Sequence, residues 1–452
     1  MRSFVILAVL FAMGGIIMAQ AGRAVERQIT FAPQNHNLDN NDNFSPDGRF
    51  LVYDTRETIG PGIENSQSIE KVEIATGACT TLYSPRASVT GKNAAPGVAA
   101  ASYCPVADKV AFIHGPLVDD VPARGYYGKP NRNGAEVPGD GSGVLTWLDR
   151  RDVDTSRPTL PGAHRGGTHR HEYTLDGRRI GFTYDDFLLP QYDRTIGYME
   201  PRADAPGGAT HWFAVLLAPP PMGKSRPGEI EKAYGDSWVG RDGRMRAFIG
   251  KVRNDDGVTY EESLFVADVP LDVDITTADA GAADRYPSPP KGVSVRRLTH
   301  TTAEGVVRGA PDGSRIAYYA KAEDGSKQVF VIASDGSDQD ADPAKRPVQL
   351  TRLPGGVTSG LRWHPSGDYV LCISNGGVAV TCAKPGPDYG VTKFIMPQND
   401  GPARYDLVVS LDGKQVAFTK QVPTKDVAGN LKKNYAGLDF AQIFVLGFAW
   451  PE

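Results

Sequence analysis

One local event recurs seven times along this chain: an apolar or aromatic residue enters a tight polar turn, and an apolar run leaves it. The copies are Phe44-Ser45-Pro46-Asp47-Gly48, Tyr103-Cys104-Pro105-Val106-Ala107, Tyr173-Thr174-Leu175-Asp176-Gly177 and Val239-Gly240-Arg241-Asp242-Gly243. They continue with Ala310-Pro311-Asp312-Gly313, Trp363-His364-Pro365-Ser366-Gly367 and Val409-Ser410-Leu411-Asp412-Gly413. Proline pre-sets φ and glycine accepts φ > 0, which is what a tight reversal needs. One such turn signals a hairpin. Seven in one register, 46 to 70 residues apart, signal a repeat architecture. Units built only of strands and turns are blades, so the predicted fold is an all-β propeller.

Each repeat reads as four strands, a to d, with the tight turn joining a and b. The outer strand d carries its own signature, Val295-Arg296-Arg297-Leu298-Thr299 in repeat 4 and Val348-Gln349-Leu350-Thr351 in repeat 5. Repeat 7 ends too early to own one, but Arg27-Gln28-Ile29-Thr30 carries it ahead of any strand a. A seven-bladed ring closed by the N-terminal strand follows, which hides the edge that an open ring would expose. Two segments stand out as insertions. Residues 115–142, with Tyr126 and Tyr127, read as a functional loop; residues 269–292, rich in Ala, Asp and Pro, read as disordered.

Residues 1–21 form a targeting segment: Arg2, an apolar run over residues 4–17, and a small-x-small site at Ala19-Gln20-Ala21. That run is too short to span a bilayer comfortably. We expect a single propeller domain over residues 22–452, in the periplasm or secreted, with no transmembrane segment after cleavage. A formal charge of −4 from 49 basic and 53 acidic residues argues against nucleic acid held by a basic stripe. Four cysteines are too few for a disulfide scaffold. An Asn375-Gly376 hairpin would set Cys372 beside Ala379 rather than Cys382, so free thiols are expected.

Blade topology places loops d–a and b–c on one rim and turns a–b and c–d on the other. His36, His114, His164, His169, His171 and His300 then fall on the first rim, and His364 on the opposite one. The densest run is Arg165-Gly166-Gly167-Thr168-His169-Arg170-His171-Glu172. In a regular strand residues i and i+2 share a face, so His169 and His171 would point together. Two imidazoles on one face can ligate zinc, manganese, iron or copper; manganese and zinc are the candidates, with His36, His114 and Asp185 completing the set. Arg165 and Arg170 can bind an acidic ligand bidentately, and Tyr184 and Asp186 stand beside them at the end of strand b. Equally, a His-x-His pair can simply be hydrogen-bonded, and exposed acids usually solvate a loop. The chain has no G-x-S-x-G elbow, P-loop or C-x-x-C pair.

The Asp-Gly turns followed by Ile-Ala-Tyr-like strands resemble the TolB-type propeller repeat, which speaks for fold and not for activity. A closer resemblance is to the uncharacterised YidR-type bacterial propellers. It rests on Gln28-Ile29-Thr30-Phe31-Ala32-Pro33 with Asn35-His36, on Phe112-Ile113-His114-Gly115-Pro116, and on residues 165–171. Phe182-Thr183-Tyr184-Asp185-Asp186, His211-Trp212, Ser237-Trp238-Val239-Gly240 and Arg296-Arg297-Leu298-Thr299 add to it. More distantly the chain is similar to oligogalacturonate lyases, propellers whose metal is held by histidines including a His-x-His pair, matched here by His169 and His171. Their glutamine three residues before the pair is Gly166 in this chain.

Two functions follow as expectations. The first is a metal-assisted, lyase-like enzyme on acidic carbohydrate, in which a metal offsets a uronate carboxylate while a base takes the adjacent proton. The second is a non-catalytic periplasmic propeller that binds a small molecule, an oligosaccharide or a protein.

Overall fold

The computed structural model describes residues 25–39, 42–57 and 62–450; the expected targeting segment, residues 1–21, lies outside them. Among the described residues seven antiparallel blade sheets follow one another along the chain, and Thr424–Lys425 with Leu431–Lys432 add a small two-stranded sheet. The inner strands of blades 2 to 7 are Val98–Tyr103, Gly166–Tyr173, Ile230–Val239, Glu304–Gly309, Ser359–Trp363 and Arg404–Val409. In blade 1 the inner segment touches its neighbour at two isolated bridges, Asn37 with Asp54 and Phe44 with Leu51.

The turns behave as their chemistry requires. Gly48, Gly177, Gly243, Gly313, Gly367 and Gly413 all have φ between 69° and 80°, where a side chain would be strained. In the first turn Gly48 N–H donates to Ser45 O at 2.9 Å, and Ser45 Oγ donates to Asp47 Oδ1 at 2.6 Å. Blade 2, which has Ala107 in place of the glycine, keeps its reversal through Cys104 N–H donating to Lys109 O.

Closure is as expected. Arg27–Gln28 pairs antiparallel with Phe440–Gly447, Arg27 opposite Val445 and Gln28 opposite Phe444. Ile29 N–H donates to Ile443 O at 2.9 Å, and Ile443 N–H returns to Thr30 Oγ1 at 2.8 Å. Glu26 pairs with Arg404 at 2.9 Å and also with Lys420. The core is divided among the blade interfaces. Trp238, Phe248 and Phe265 of blade 4 meet Ile196, Tyr198 and Trp212 of blade 3, and Ile29, Leu51 and Tyr53 meet Val408, Ile443 and Val445 where blade 7 joins blade 1.

Both insertions differ from expectation. Residues 115–142 already contain strand c of blade 2, Asn133–Pro138, so the loop itself is shorter. Residues 269–292 are ordered rather than disordered: Ile275 and Tyr286 are buried, Tyr286 stacks on Tyr192 with ring centroids 4.4 Å apart, and Arg165 Nη1 donates to Arg285 O at 2.8 Å. A segment leaving the turn rim thus climbs to brace the loop rim of blade 3. All four cysteines are free, Cys79 exposed and the others buried, and Cys372 lies opposite Ala379 as the hairpin predicts. No helix among the described residues is long and apolar enough to cross a membrane.

Candidate functional site

Every inner strand from blade 2 to blade 7 breaks register with its neighbour near the loop rim, and that of blade 4 breaks a second time, between Ile230 and Lys232. One break in each of these strands holds a residue with positive φ: Ala100 (58°), Arg170 (59°), Gly235 (67°), Gly305 (74°), Gly360 (76°) and Asp406 (53°). Asp39 (59°) stands in the wider interruption of blade 1. These are β-bulges, where an extra residue bends the strand and re-aims its side chains. Blades 4 to 6 use glycine there; the others hold a side chain in a backbone region that costs it energy.

The bulge undoes the i, i+2 logic of the histidine pair. His169 lies opposite Thr183 and Glu172 opposite Gly181, so two residues, Arg170 and His171, face Phe182. His171 is buried against Gly134 of blade 2, where a Cβ would come within 2.7 Å of its Nε2. Its Nε2 meets Thr168 Oγ1 at 3.0 Å, and Thr168 donates to Asp149 at 2.6 Å. His169 instead lines a cavity at the loop-rim mouth of the central channel with Asp39, Arg56, Ile63, Arg170, Val306 and Asp406.

The remaining predicted ligands scatter. His36 lies where blades 7 and 1 meet, its Nδ1 3.3 Å from Ala441 O and its ring on Tyr53. His114 lies where blades 1 and 2 meet, its Nε2 2.8 Å from Tyr83 Oη and its ring edge-on to Trp147. Burial lowers both to about 4, and burial with the Arg132, Arg194 and Arg170 charges holds His169 well below the ordinary value. Asp185 is paired with Arg194 at 2.7 Å and Arg132 at 3.7 Å.

Among the described residues no three His, Cys, Asp or Glu side chains gather in a group able to hold a metal ion. A Cβ at position 166 would sit 1.9 Å from Asp185 O, so the lyase glutamine has no room there. The manganese or zinc site expected from His36, His114, His169, His171 and Asp185 does not fit these residues.

Of the expected acid-binding groups, Arg165, Tyr184 and Asp186 form a buried structural knot. Arg165 and Asp186 pair at 2.7 Å, Tyr184 Oη donates to Asp186 at 2.9 Å, and burial followed by the Asp186 charge pushes the Tyr184 phenol well above its usual range. Arg170 alone of the four reaches the channel.

A larger cavity, about 350 Å³, opens at the opposite mouth and takes lining from the a–b turns of every blade. Its charged walls are Asp42, Glu172, Arg241, Arg308 and Arg362, and Ser237, Trp238 and Trp363 also line it. Glu172 is held by Arg246 at 3.0 Å and by Ser237 Oγ at 2.9 Å. Asp42 meets Arg362 at 3.3 Å. Arg308 is pushed well below its ordinary value by burial and then by the neighbouring Arg362 and Arg170 charges, against the pull of Glu172 and Asp42. Sequence reasoning missed this site, although a signal was present. Arg308 and Arg362 stand three residues before Pro311 and Pro365, and Glu172 stands three before Leu175. Charged residues recurring at one inner-strand position mark an axial site.

The sheets, the closure and the axial cavities define a seven-bladed β-propeller. The chain is 31% identical over 420 residues to the uncharacterised protein YidR of Escherichia coli (strain K12), covering 87% of this chain and 94% of that one. It belongs to the YidR family. A family model described as a protein of unknown function, DUF3748, matches residues 97–205. Among solved structures, an oligogalacturonate lyase in complex with manganese is similar with a TM-score of 0.51 at 12% identity, over 94% of this chain and 96% of that one. The periplasmic gluconolactonase PpgL of Pseudomonas aeruginosa matches at a TM-score of 0.42 and 16% identity, over 87% and 98% of the two chains. TolB of Acinetobacter baumannii matches at 0.38 and 12%, over 93% and 86%. The likeness to the oligogalacturonate lyase speaks for the fold alone.

Proposed function

We propose that this protein is an exported binding propeller that takes a small carboxylate-bearing ligand into the axial cavity at the turn rim. The observation that carries the reading is the lining of that cavity: three guanidinium groups, Arg241, Arg308 and Arg362, against two carboxylates, Asp42 and Glu172. Guanidinium groups outnumber carboxylates among the charged lining residues, and planar guanidinium groups match a carboxylate. Trp238 and Trp363 give the ligand's apolar or sugar face a surface to lie on. Arg2 and the apolar run before Ala19-Gln20-Ala21 support export. The scattered histidines give the metal-assisted lyase reading no comparable support, so binding without chemistry is preferred.

The test is titration of the purified protein with galacturonate, its oligomers and gluconate, followed by calorimetry and by tryptophan fluorescence. Binding should weaken in Arg241→Ala, which is exposed and leaves the fold alone, and in Arg362→Gln. Loss of one charged hydrogen bond predicts a roughly tenfold to hundredfold weaker Kd. No binding of any carboxylate, or equal binding by both variants, defeats the proposal. Release of an unsaturated product from the oligomers would restore the lyase reading instead.

A further inference from the structure

The loop-rim mouth holds a second arrangement that the first proposal does not use. Its cavity, about 300 Å³, has walls of opposite character. Asp39 and Asp406 come from blades 1 and 7, which adjoin at the closure. Arg170 and His169 come from blade 3, as far from blade 7 as a ring of seven allows. Asp39, Arg170 and Asp406 are all bulge residues at positive φ, in a place where blades 4 to 6 carry glycine. Non-glycine residues held there persist where the surrounding structure over-determines them, and such places cluster at ligand sites. His169 also lines this cavity, and its Nδ1 is buried without a hydrogen-bond partner.

Asp406 and its surroundings set the chemistry. Its Oδ2 accepts from Thr419 Oγ1 at 3.1 Å. Arg56 is held by Asp54 at 2.6 Å and Asp39 at 3.3 Å. Burial, then the Asp39 charge, raise Asp406 to about 7, with Asp54 adding to the rise and Arg56 and the Thr419 hydrogen bond opposing it. Three carboxyls, Asp39, Asp54 and Asp406, thus surround Arg56 on this side of the mouth. A cation arriving there meets an acid ready to release a proton.

We propose that this mouth binds a small zwitterion of the α-amino acid type, with its ammonium group against Asp39 and Asp406 and its carboxylate against Arg170 and His169. The site is separate from the turn-rim cavity, so either can fail alone. An ammonium group favours the ionised form of Asp406. Binding below pH 7 must then displace a proton, and it weakens as pH falls.

The experiment is calorimetric titration with free L-alanine, and with ethylamine and propionate as its two halves, at pH 8 and pH 6. L-Alanine should bind more tightly than either half and about tenfold more weakly at pH 6 than at pH 8, with protons released to the buffer. Asp406→Gly and Arg170→Gly should abolish binding while keeping the native circular dichroism spectrum, because glycine is the residue the bulge carries in blades 4 to 6. Asp406→Asn, which can keep the Thr419 contact, should bind weakly and without pH dependence. The proposal is overturned if L-alanine does not saturate the protein, if ethylamine binds as tightly as L-alanine, or if the Asp406 variants bind as the wild type does.

Discussion

Replacing Ile29 with alanine tests whether the N-terminal strand locks the ring. Ile29 is 0% exposed, in a cluster with Leu51, Tyr53, Val408, Ile443 and Val445. The change removes three carbons, about 2.4 kcal/mol at ~0.8 kcal/mol each. The cavity left between two blades brings the cost to about 3 kcal/mol, inside the ~2–5 range for such truncations. The backbone hydrogen bond from Ile29 to Ile443 survives, so the loss reports side-chain packing alone. Phe31, two residues on and 63% exposed, supplies the control: Phe31→Ala should cost less than about 0.5 kcal/mol. Thr30→Val leaves the buried Ile443 N–H without its acceptor and should cost about 1–3 kcal/mol. Urea denaturation read by tryptophan fluorescence and by far-ultraviolet circular dichroism measures all three. If Ile29→Ala and Phe31→Ala share one midpoint, the strand does not hold the ring, and the closure argument fails.

Three further outcomes follow. His36 and His114 are neutral in the fold, lowered to about 4 from an ordinary 6.5, so their stability contribution is complete above pH 6.5 and is lost as pH falls toward 4. That loss is on the order of 3 kcal/mol each; unfolding should take up about two protons from this pair across that window, and a denaturation series lacking any such dependence contradicts their burial. Limited proteolysis should leave residues 269–292 uncut in the wild type and cut them readily in Tyr286→Ala, which removes the stack on Tyr192; early cutting of the wild type would speak against the brace. Elemental analysis after dialysis should find no stoichiometric manganese or zinc, and a full equivalent of either that disappears in His169→Ala would mean the ligands gather after all.

The fold was legible because its signals are local. A Ser-Pro-Asp-Gly turn is specified by four residues, and the strand d signature at Arg27-Gln28-Ile29-Thr30 needs only to be recognised out of place. The site was less legible because it depends on where regular strand geometry stops. Glycine advertises the bulge at Gly235, Gly305 and Gly360, whereas Ala100, Arg170 and Asp406 carry it silently. Regular alternation would set His169 and His171 on one face, which the bulge at Arg170 denies them. Gly134 and Pro138 made strand c of blade 2 look like loop. In residues 269–292 the low-complexity composition hid two anchors, Ile275 and Tyr286, whose burial depends on blade 3 and leaves no mark nearby in sequence.

The bulges also bear on how such a protein can change. A residue inside a regular strand is tied to its neighbours by alternation, so altering its role disturbs the face it shares. A bulge residue is exempt from that alternation. The ring thus offers several positions around one axis where a group can be exchanged singly, without re-registering the sheet. Glycine there is a blank, and Asp406 or Arg170 is a filled place. Relatives with identical blades can therefore differ in what they hold at the loop-rim mouth, and that difference should fall at the residues aligned with 100, 170, 235, 305, 360 and 406.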